Sequence, residues 1–383
     1  MGLGRGILQP SMLRIKSLLV AMTHAHFVVI SNHRICVTVH FCETLVSCMM
    51  LTYYEKEQVS KVTETDDPED MGGKEGVNVF LKRSTKEFFK AWQGVKGATM
   101  FDRLHGYVYA RWPYLYIGIG LGEHPASRPL RSASSILSKL SPARDNLDSI
   151  GKTFADTYHG KVVTTESARQ LVQVQEDINL PDLEYVIPYT KARDIIMTDP
   201  DHIVILDCPC RSARPDPCLP LDVCMIVGEP FASFILDHHP DRSRWVTREQ
   251  AEGILEAEHA RGHVHHAIFK DAMLGRFYAI CNCCSCCCGA MQSMRNGTPM
   301  LASSGYVSEM KLDLCVACGL CAEQCPFGAM RMGDVHVEID RVLCMGCGVC
   351  VSTCPEGALS LQEDPEKGVP LVISELLKAE AEV

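Results

Sequence analysis

Cys315-Val316-Ala317-Cys318-Gly319-Leu320-Cys321-Ala322-Glu323-Gln324-Cys325-Pro326, repeated in kind as Cys344-Met345-Gly346-Cys347-Gly348-Val349-Cys350-Val351-Ser352-Thr353-Cys354-Pro355, decides how this 383-residue chain is read. Each half is C-x2-C-x2-C-x3-C-P. Three thiolates on one tight loop can cap three irons of a cubane, and the fourth iron then needs a ligand from elsewhere. Zinc is the rival, because C-x2-C pairs also make zinc knuckles. A zinc site takes four ligands from two pairs. It has no use for a third cysteine at x2 or for a Cys-Pro at x3.

Where two such motifs share a domain, the fourth ligand of each cluster comes from the other motif. The expected sets are therefore Cys315, Cys318, Cys321 and Cys354 for one [4Fe–4S] cluster, and Cys344, Cys347, Cys350 and Cys325 for the other. Pro326 and Pro355 stop the short helix that carries each crossing cysteine. Gly319, Gly346 and Gly348 let the backbone approach a cluster and turn N–H groups toward sulfide. Val335–Ile339 alternates as one arm of a hairpin would, and Val369–Ile373 can supply a closing strand. All eight cysteines and both prolines are in register with the bacterial-type two-[4Fe–4S] ferredoxins, which residues 306–373 resemble. The resemblance implies a small α+β ferredoxin-like two-cluster domain that carries single electrons at low potential.

The remaining cysteines are unevenly spread. Of 21 in all, three lie at 36–48, four at 208–224 and six at 281–288. Long stretches have none, which disfavours a disulfide-stapled secreted fold and favours metal ligation in a reducing, cytoplasmic setting. Cys208-Pro209-Cys210-Arg211 follows an apolar strand, His202–Leu206. Cys218 is placed at the start of a helix read over Pro220–Val227, and Cys224 inside it. Cys281-Asn282-Cys283-Cys284-Ser285-Cys286-Cys287-Cys288-Gly289 follows a second strand, Arg276–Ile280. Ten thiols so close would repel one another as thiolates unless metal neutralised them. Arg211, Arg214, Lys270 and Arg276 supply part of that charge. Three readings stay open: a further iron–sulfur centre built from a subset of the ten, a zinc site, or a reduced thiol cluster. His238, His239, His259, His263, His265 and His266 could add ligands, but core or solvated roles are commoner for histidine. The C-P-C-R and C-N-C-C-x-C-C-C-G strings resemble those of ferredoxin-fused iron–sulfur proteins of anaerobic microbes, a resemblance covering about 80–383 that brings no assigned reaction.

The rest of the chain frames these sites. Residues 155–300 read as an α/β or α+β Cys-rich domain, with helices at Thr165–Leu171 and Thr190–Met197 and one capped by Thr247 and Gln250 and stopped by Gly262. Residues 80–154 read as an aromatic-rich helical and linker region. There Lys82–Gln93 is helical, Tyr107–Tyr116 is a packed strand and turn, and 126–150 is a connector. The G-x-G-x-G run at Gly118, Gly120 and Gly122 lacks the last glycine of a dinucleotide fingerprint. Residues 1–79 read as a largely irregular, non-domain extension. Their apolar runs are broken by His24, His26, Asn32, His33, Arg34, His40 and Glu43, too short to span a bilayer. Lys74-Glu75-Gly76-Val77 can be encoded by a ribosome-binding sequence, which places an alternative translation start at Val79 or Leu81. Residues 374–383 read as an acidic tail.

The net charge is −10, and residues 306–383 alone carry 13 acidic against 5 basic side chains. That acidity disfavours nucleic acid as a partner and suits docking to basic surfaces on redox proteins. The function expected is iron–sulfur electron transfer, as a carrier or electron-input subunit of an anaerobic redox system. The alternatives are a redox enzyme with its active centre in the Cys-rich domain, and a thiol or metal redox sensor.

Overall fold

The computed structural model describes residues 82–95, 97–125, 127, 158–188 and 193–381. The extension 1–79, the connector 126–150 except residue 127, residues 151–157 and 189–192, and Cys36, Cys42 and Cys48 lie outside the described residues. In chain order the elements are α1 (Arg83–Ala91) running into a 3-10 turn (Trp92–Gly94), α2 (Met100–Arg111), α3 (Pro113–Leu121), β1 (Tyr158–Val163), α4 (Thr165–Val172), β2 (Ile178–Leu180), β3 (Ile195–Asp207), α5 (Pro209–Ser212), β4 (Asp222–Glu229), α6 (Phe231–His238), β5 (Ser243–Val246), α7 (Arg248–Ala260), β6 (Val264–Lys270), β7 (Arg276–Cys283), α8 (Gly289–Arg295), β8 (Leu301–Ala302), β9 (Tyr306–Met310), α9 (Leu320–Gln324), β10 (Met330–Met332), β11 (Val337–Ile339), α10 (Val349–Thr353), β12 (Leu359–Glu363) and α11 (Ile373–Ala381).

Strands β2-β3-β4-β7-β6-β1-β8 form one sheet in that order, with β5 also paired to β3. Every pairing is antiparallel except β1 with β8. Alternation along the strands divides two cores. Ile203, Ile205, Ala267 and Phe269 face α4, α7 and α11, where Leu171, Leu255 and Leu376 are buried. Val204, Leu206 and Ile268 face α1, α2 and α6, where Phe88, Trp92, Tyr109 and Phe234 are buried. The domain is thus a mixed sheet between two helical layers.

Three element assignments from sequence upstream of the C-terminal domain are overturned. Tyr107–Tyr116 is helical, split between α2 and α3. Thr99 caps α2 in a reciprocal pair with Asp102, and Pro113 occupies the first turn of α3, so the aromatic run is fed into helices. Residues 195–197 belong to β3, whose β-branched Ile195 and Ile196 pair with β2, instead of ending a helix. Pro200 sits at an irregularity where the pairing register shifts. Pro220–Val227 is largely β4. Its run Val223–Val227 is buried on both faces between β3 and β7, and a continuous apolar run reads equally as helix or central strand. Helix α7 begins at the Thr247–Gln250 capping box as expected, and Gly262 follows its end at φ +78°.

The C-terminal domain contains the hairpin β10–β11, as read from sequence. Its second pair is β12 with β9. The expected closing strand at Val369–Ile373 does not form. Leu371, Ile373 and Leu376 are instead buried in the core under the large sheet, so the acidic tail is mostly a helix, α11, packed on the Cys-rich domain. Among the described residues no helix is long and apolar enough to cross a membrane.

Candidate metal centres

All 18 described cysteines are free thiols, and they gather at three places. In the C-terminal domain, α9 and α10 are related short helices, each opened by a left-handed glycine, Gly319 at φ +79° and Gly348 at φ +83°. One cavity is lined by Cys315, Cys318, Cys321 and Cys354. A second is lined by Cys325, Cys344, Cys347 and Cys350. The fold thus brings together the two sets expected from sequence, with one cysteine of each motif crossing to the other cavity. Backbone N–H groups aim at the sulfurs: Ala329 donates to Cys325 (3.2 Å), Ser308 to Cys344 (3.4 Å) and Ala358 to Cys354 (3.4 Å). Such donors stabilise thiolate, while burial acts against it and pushes the Cys350 thiol up to about 11. Both features fit an iron–sulfur group, whose iron would displace those protons on binding.

Gly346 shows how tightly the loop is built. It has φ +64°, and a Cβ there would lie 2.3 Å from both Ser304 Oγ and the Tyr306 carbonyl. The equivalent position in the first motif, Ala317, is also left-handed at φ +54° but carries a side chain.

The Cys-rich domain holds the other ten. Cys224, Cys281 and His266 stand in register across β4, β7 and β6, making one row on the sheet. Cys283 lies two residues further along β7, on the same face. Cys208 directly follows β3, and Cys210 lies in the one-turn α5. Cys288 caps α8. These six thiols line one cavity together with Cys284, His266, Asn282, Tyr109 and Tyr278, and with Pro113 and Ile117 of α3. Cys224 is thus on a strand, not in a helix, and this places it beside Cys281. Thiol contacts run in sequence from Cys210 to Cys208, Cys224, Cys281, Cys283 and Cys288. Neighbouring thiols hold Cys208 well below its ordinary value and Cys281 down to about 5, while Cys210, Cys224 and Cys283 are raised.

His266 is fully buried, its pKa pushed down to about 3 by burial, and both ring nitrogens lack a hydrogen-bond partner among the described residues. One of them lies within 4.8 Å of the Cys283 and Cys288 sulfurs. A buried polar group without a partner costs roughly 1–3 kcal/mol. A metal centre in the cavity would satisfy it. Of the other histidines, His265 bonds Asn282 (2.6 Å) and His263 bonds Glu258 (2.7 Å). Helix α7 ends at Ala260, so His259 and His263 do not share a helical face.

Arg211 ties the site together. Its guanidinium donates to Glu258 (2.6 Å), to the Pro220 carbonyl (2.5 Å) and to the Asn282 carbonyl (3.0 Å), with Arg211 and Glu258 both buried. It joins the Cys208 loop, the end of β7 and α7. Sequence reading named Arg211 but missed Glu258. The signal was present: Ala251, Leu255 and Glu258 follow helical spacing, so a carboxylate falls on an inward-facing stripe. The third group is Cys218, Cys284, Cys286 and Cys287, of which Cys286 is exposed, Cys284 and Cys287 are buried, and Cys284 also lines the cavity.

Comparison with known proteins bears on one of these places. A family described as the 4Fe-4S dicluster domain matches residues 314–359. No curated protein matches the chain. The C-terminal domain is therefore an iron–sulfur domain of ferredoxin type, and its general chemistry is electron transfer.

Proposed function

We propose that the chain is an electron-input module whose ferredoxin domain is coupled to a further iron–sulfur centre in the six-thiol cavity. In this reading two [4Fe–4S] clusters are held by Cys315, Cys318, Cys321 and Cys354, and by Cys344, Cys347, Cys350 and Cys325. When bound, such clusters supply one-electron transfer, at potentials set by hydrogen bonds to sulfur and by solvent exposure. The observation that carries the reading is a single buried cluster uniting the two domains. Cys347 packs there with Cys288 and Cys283, through Met345, Val349, Val264 and Met291.

The chain's own residues give the module two different ends. The Cys347 side is closed to water by Met345 and Val349, both buried. The Cys315–Cys321 side is open: Cys318 is exposed, and Leu312, Leu314 and Val316 project beside it. With its acidic surroundings, that open side suits a basic redox partner. The likeness of the C-P-C-R and C-N-C-C-x-C-C-C-G strings to ferredoxin-fused proteins of anaerobic microbes fits the same assignment.

The test is metal analysis of anaerobically purified full chain. Two cubanes account for about eight irons, and the further centre requires more, with acid-labile sulfide and visible absorption that bleaches with dithionite. Replacing Cys208 and Cys210 by Ser should remove only the iron above about eight. Stoichiometric zinc without sulfide at the C-terminal domain would defeat the reading. An iron content of about eight in both proteins would remove the further centre from it.

A further inference from the structure

The ten upstream thiols do not behave as one group. Cys218, Cys284, Cys286 and Cys287 have their four sulfurs all within 4.8 Å of one another. Cys218 Sγ is 2.9 Å from Cys286 Sγ, which is 3.6 Å from Cys287 Sγ. Four thiolates around one Zn²⁺ at about 2.3 Å stand about 3.8 Å apart. Among the described residues, no three of the eight ferredoxin sulfurs and no three of the six cavity sulfurs are mutually this close. The cavity thiols run as an open chain round a space. These four gather about a point.

The loop that supplies three of them is fixed from outside. Arg295 donates to the Ser285 carbonyl, Gln292 to the Cys286 carbonyl (2.9 Å) and Arg214 to the Cys287 carbonyl (3.1 Å). Arg214 also donates to Gln292 Oε1 (2.6 Å) and to Glu123 (2.6 Å), so these anchors brace one another. Three consecutive carbonyls are held, and the side chains of Cys284, Cys286 and Cys287 are thereby presented together. Supporting groups that orient the first ring of ligands are the usual mark of a built metal site. The fourth ligand, Cys218, comes from the loop between α5 and β4, so a bound ion would fasten that loop to the start of α8. Cys284 also lines the inner cavity, and the fastening would lie over its outer side.

We propose that Cys218, Cys284, Cys286 and Cys287 form a closed four-cysteine site for a single Zn²⁺, separate from the iron–sulfur sites, which clasps two loops at the edge of the six-thiol cavity. All four positions are filled by protein thiolates, as in structural zinc sites, leaving no open position for substrate. Arg211 and Arg214 lie close enough to offset part of the charge of the tetrathiolate.

The proposal is independent of the cluster in the cavity, because its readout is zinc and not iron or sulfide. Full-length chain purified anaerobically and given one equivalent of Zn²⁺ is measured by X-ray absorption at the zinc edge, where iron–sulfur clusters do not contribute. Four sulfurs at about 2.3 Å are expected. Cys218→Ser/Cys286→Ser should lose the tightly held zinc and keep its iron and acid-labile sulfide, whereas Cys208→Ser/Cys210→Ser should keep the zinc. Zinc bound with nitrogen or oxygen ligands in the wild type, or no tight zinc, overturns the proposal without need of a variant. So does loss of iron and sulfide from Cys218→Ser/Cys286→Ser in folded protein.

Discussion

Removing Arg211 should be among the costliest single changes in the Cys-rich domain. Its guanidinium and the Glu258 carboxylate are each about 1% exposed and stand 2.6 Å apart. Arg211→Leu takes away the buried counter-charge of Glu258, which keeps only His263 (2.7 Å) and the half-exposed Arg261 (3.0 Å), and leaves the Pro220 and Asn282 carbonyls without their donor. Breaking a buried pair costs up to about 3–5 kcal/mol when the remaining charge has no other partner, and even about 3 kcal/mol is a fifth or more of the roughly 5–15 kcal/mol that a folded domain has. Glu258→Gln should cost less. Arg211 also faces Cys208 and Cys284, so its charge keeps a counterpart whenever those thiols are ionised. The double variant Arg211→Leu/Glu258→Gln closes the cycle and removes both charges at once, so neither is left buried without its counterpart. The cycle should therefore show a coupling of about 2 kcal/mol, within the usual range for touching residues. Hydrogen exchange of β4, β6 and β7 amides in the full anaerobic chain reads local stability without assuming a two-state transition. Additive losses, or an Arg211→Leu loss under about 1 kcal/mol, would refute the argument. The same pair carries a pH signature. Burial tends to raise Glu258, but hydrogen bonds from His263 and Arg211 win and hold its carboxyl below the usual range. Its contribution is present above the unfolded carboxylate pKa and is lost as pH falls below about 4.

Three further outcomes are expected. Lys161 is buried in β1 and burial alone lowers its pKa to about 8, so its charged form is penalised by about 3 kcal/mol at neutral pH. The unfolded chain binds the proton between pH 8 and 10.5, so stability rises across that window; Lys161→Met should stabilise most below pH 8, less about 1 kcal/mol for its bond to the Ser303 carbonyl, and a pH-independent difference in urea denaturation would contradict this. Ala317→Gly should relieve left-handed strain and stabilise by up to about 1 kcal/mol after the entropy of glycine is subtracted, whereas Gly346→Ala drives a Cβ into Ser304 and Tyr306 and should empty the neighbouring cavity of iron, checked by iron content. Electron transfer from the open, acidic end to a basic partner protein should slow as salt rises past about 0.1 M, where the Debye length is about 10 Å; a salt-independent rate would count against electrostatic docking.

How legible the sites were depended on whether the ligands are local or distant. Cys315–Cys325 and Cys344–Cys354 are loops of fixed spacing, so the two sets of cysteines that line the two cavities could be listed without a fold. The upstream ten could be located but not sorted, because sorting depends on sheet register. Only pairing of β4, β7 and β6 sets Cys224, Cys281 and His266 in one row, and the misassigned helix at 220–227 hid it. The cause was a run apolar on both faces, which has no period to read. The aromatic stretch failed for a related reason: 107, 109, 112, 114 and 116 nearly alternate, and it took Thr99 and Asp102, upstream of the run, to settle α2 as a helix.

The connection between the domains argues against a freely tethered carrier. A ferredoxin unit that shuttled on a leash would need a flexible linker of some length. Here only residues 303–305 separate β8, a strand of the large sheet, from β9 of the ferredoxin domain. Even these are fastened: the Ser304 hydroxyl donates to the Gly346 carbonyl (2.8 Å), within the Cys344–Cys347 loop, and the Ser303 carbonyl accepts from Lys161 in β1. At its other end the domain leads into Leu371, Ile373 and Leu376, buried against the underside of the same sheet. Both ends of the ferredoxin domain are thus anchored in the Cys-rich domain, and Cys347 and Cys288 share one buried cluster. Rigid attachment at two points fixes the distance between the ferredoxin domain and the six-thiol cavity, which is what the proposed electron-input reading requires of them.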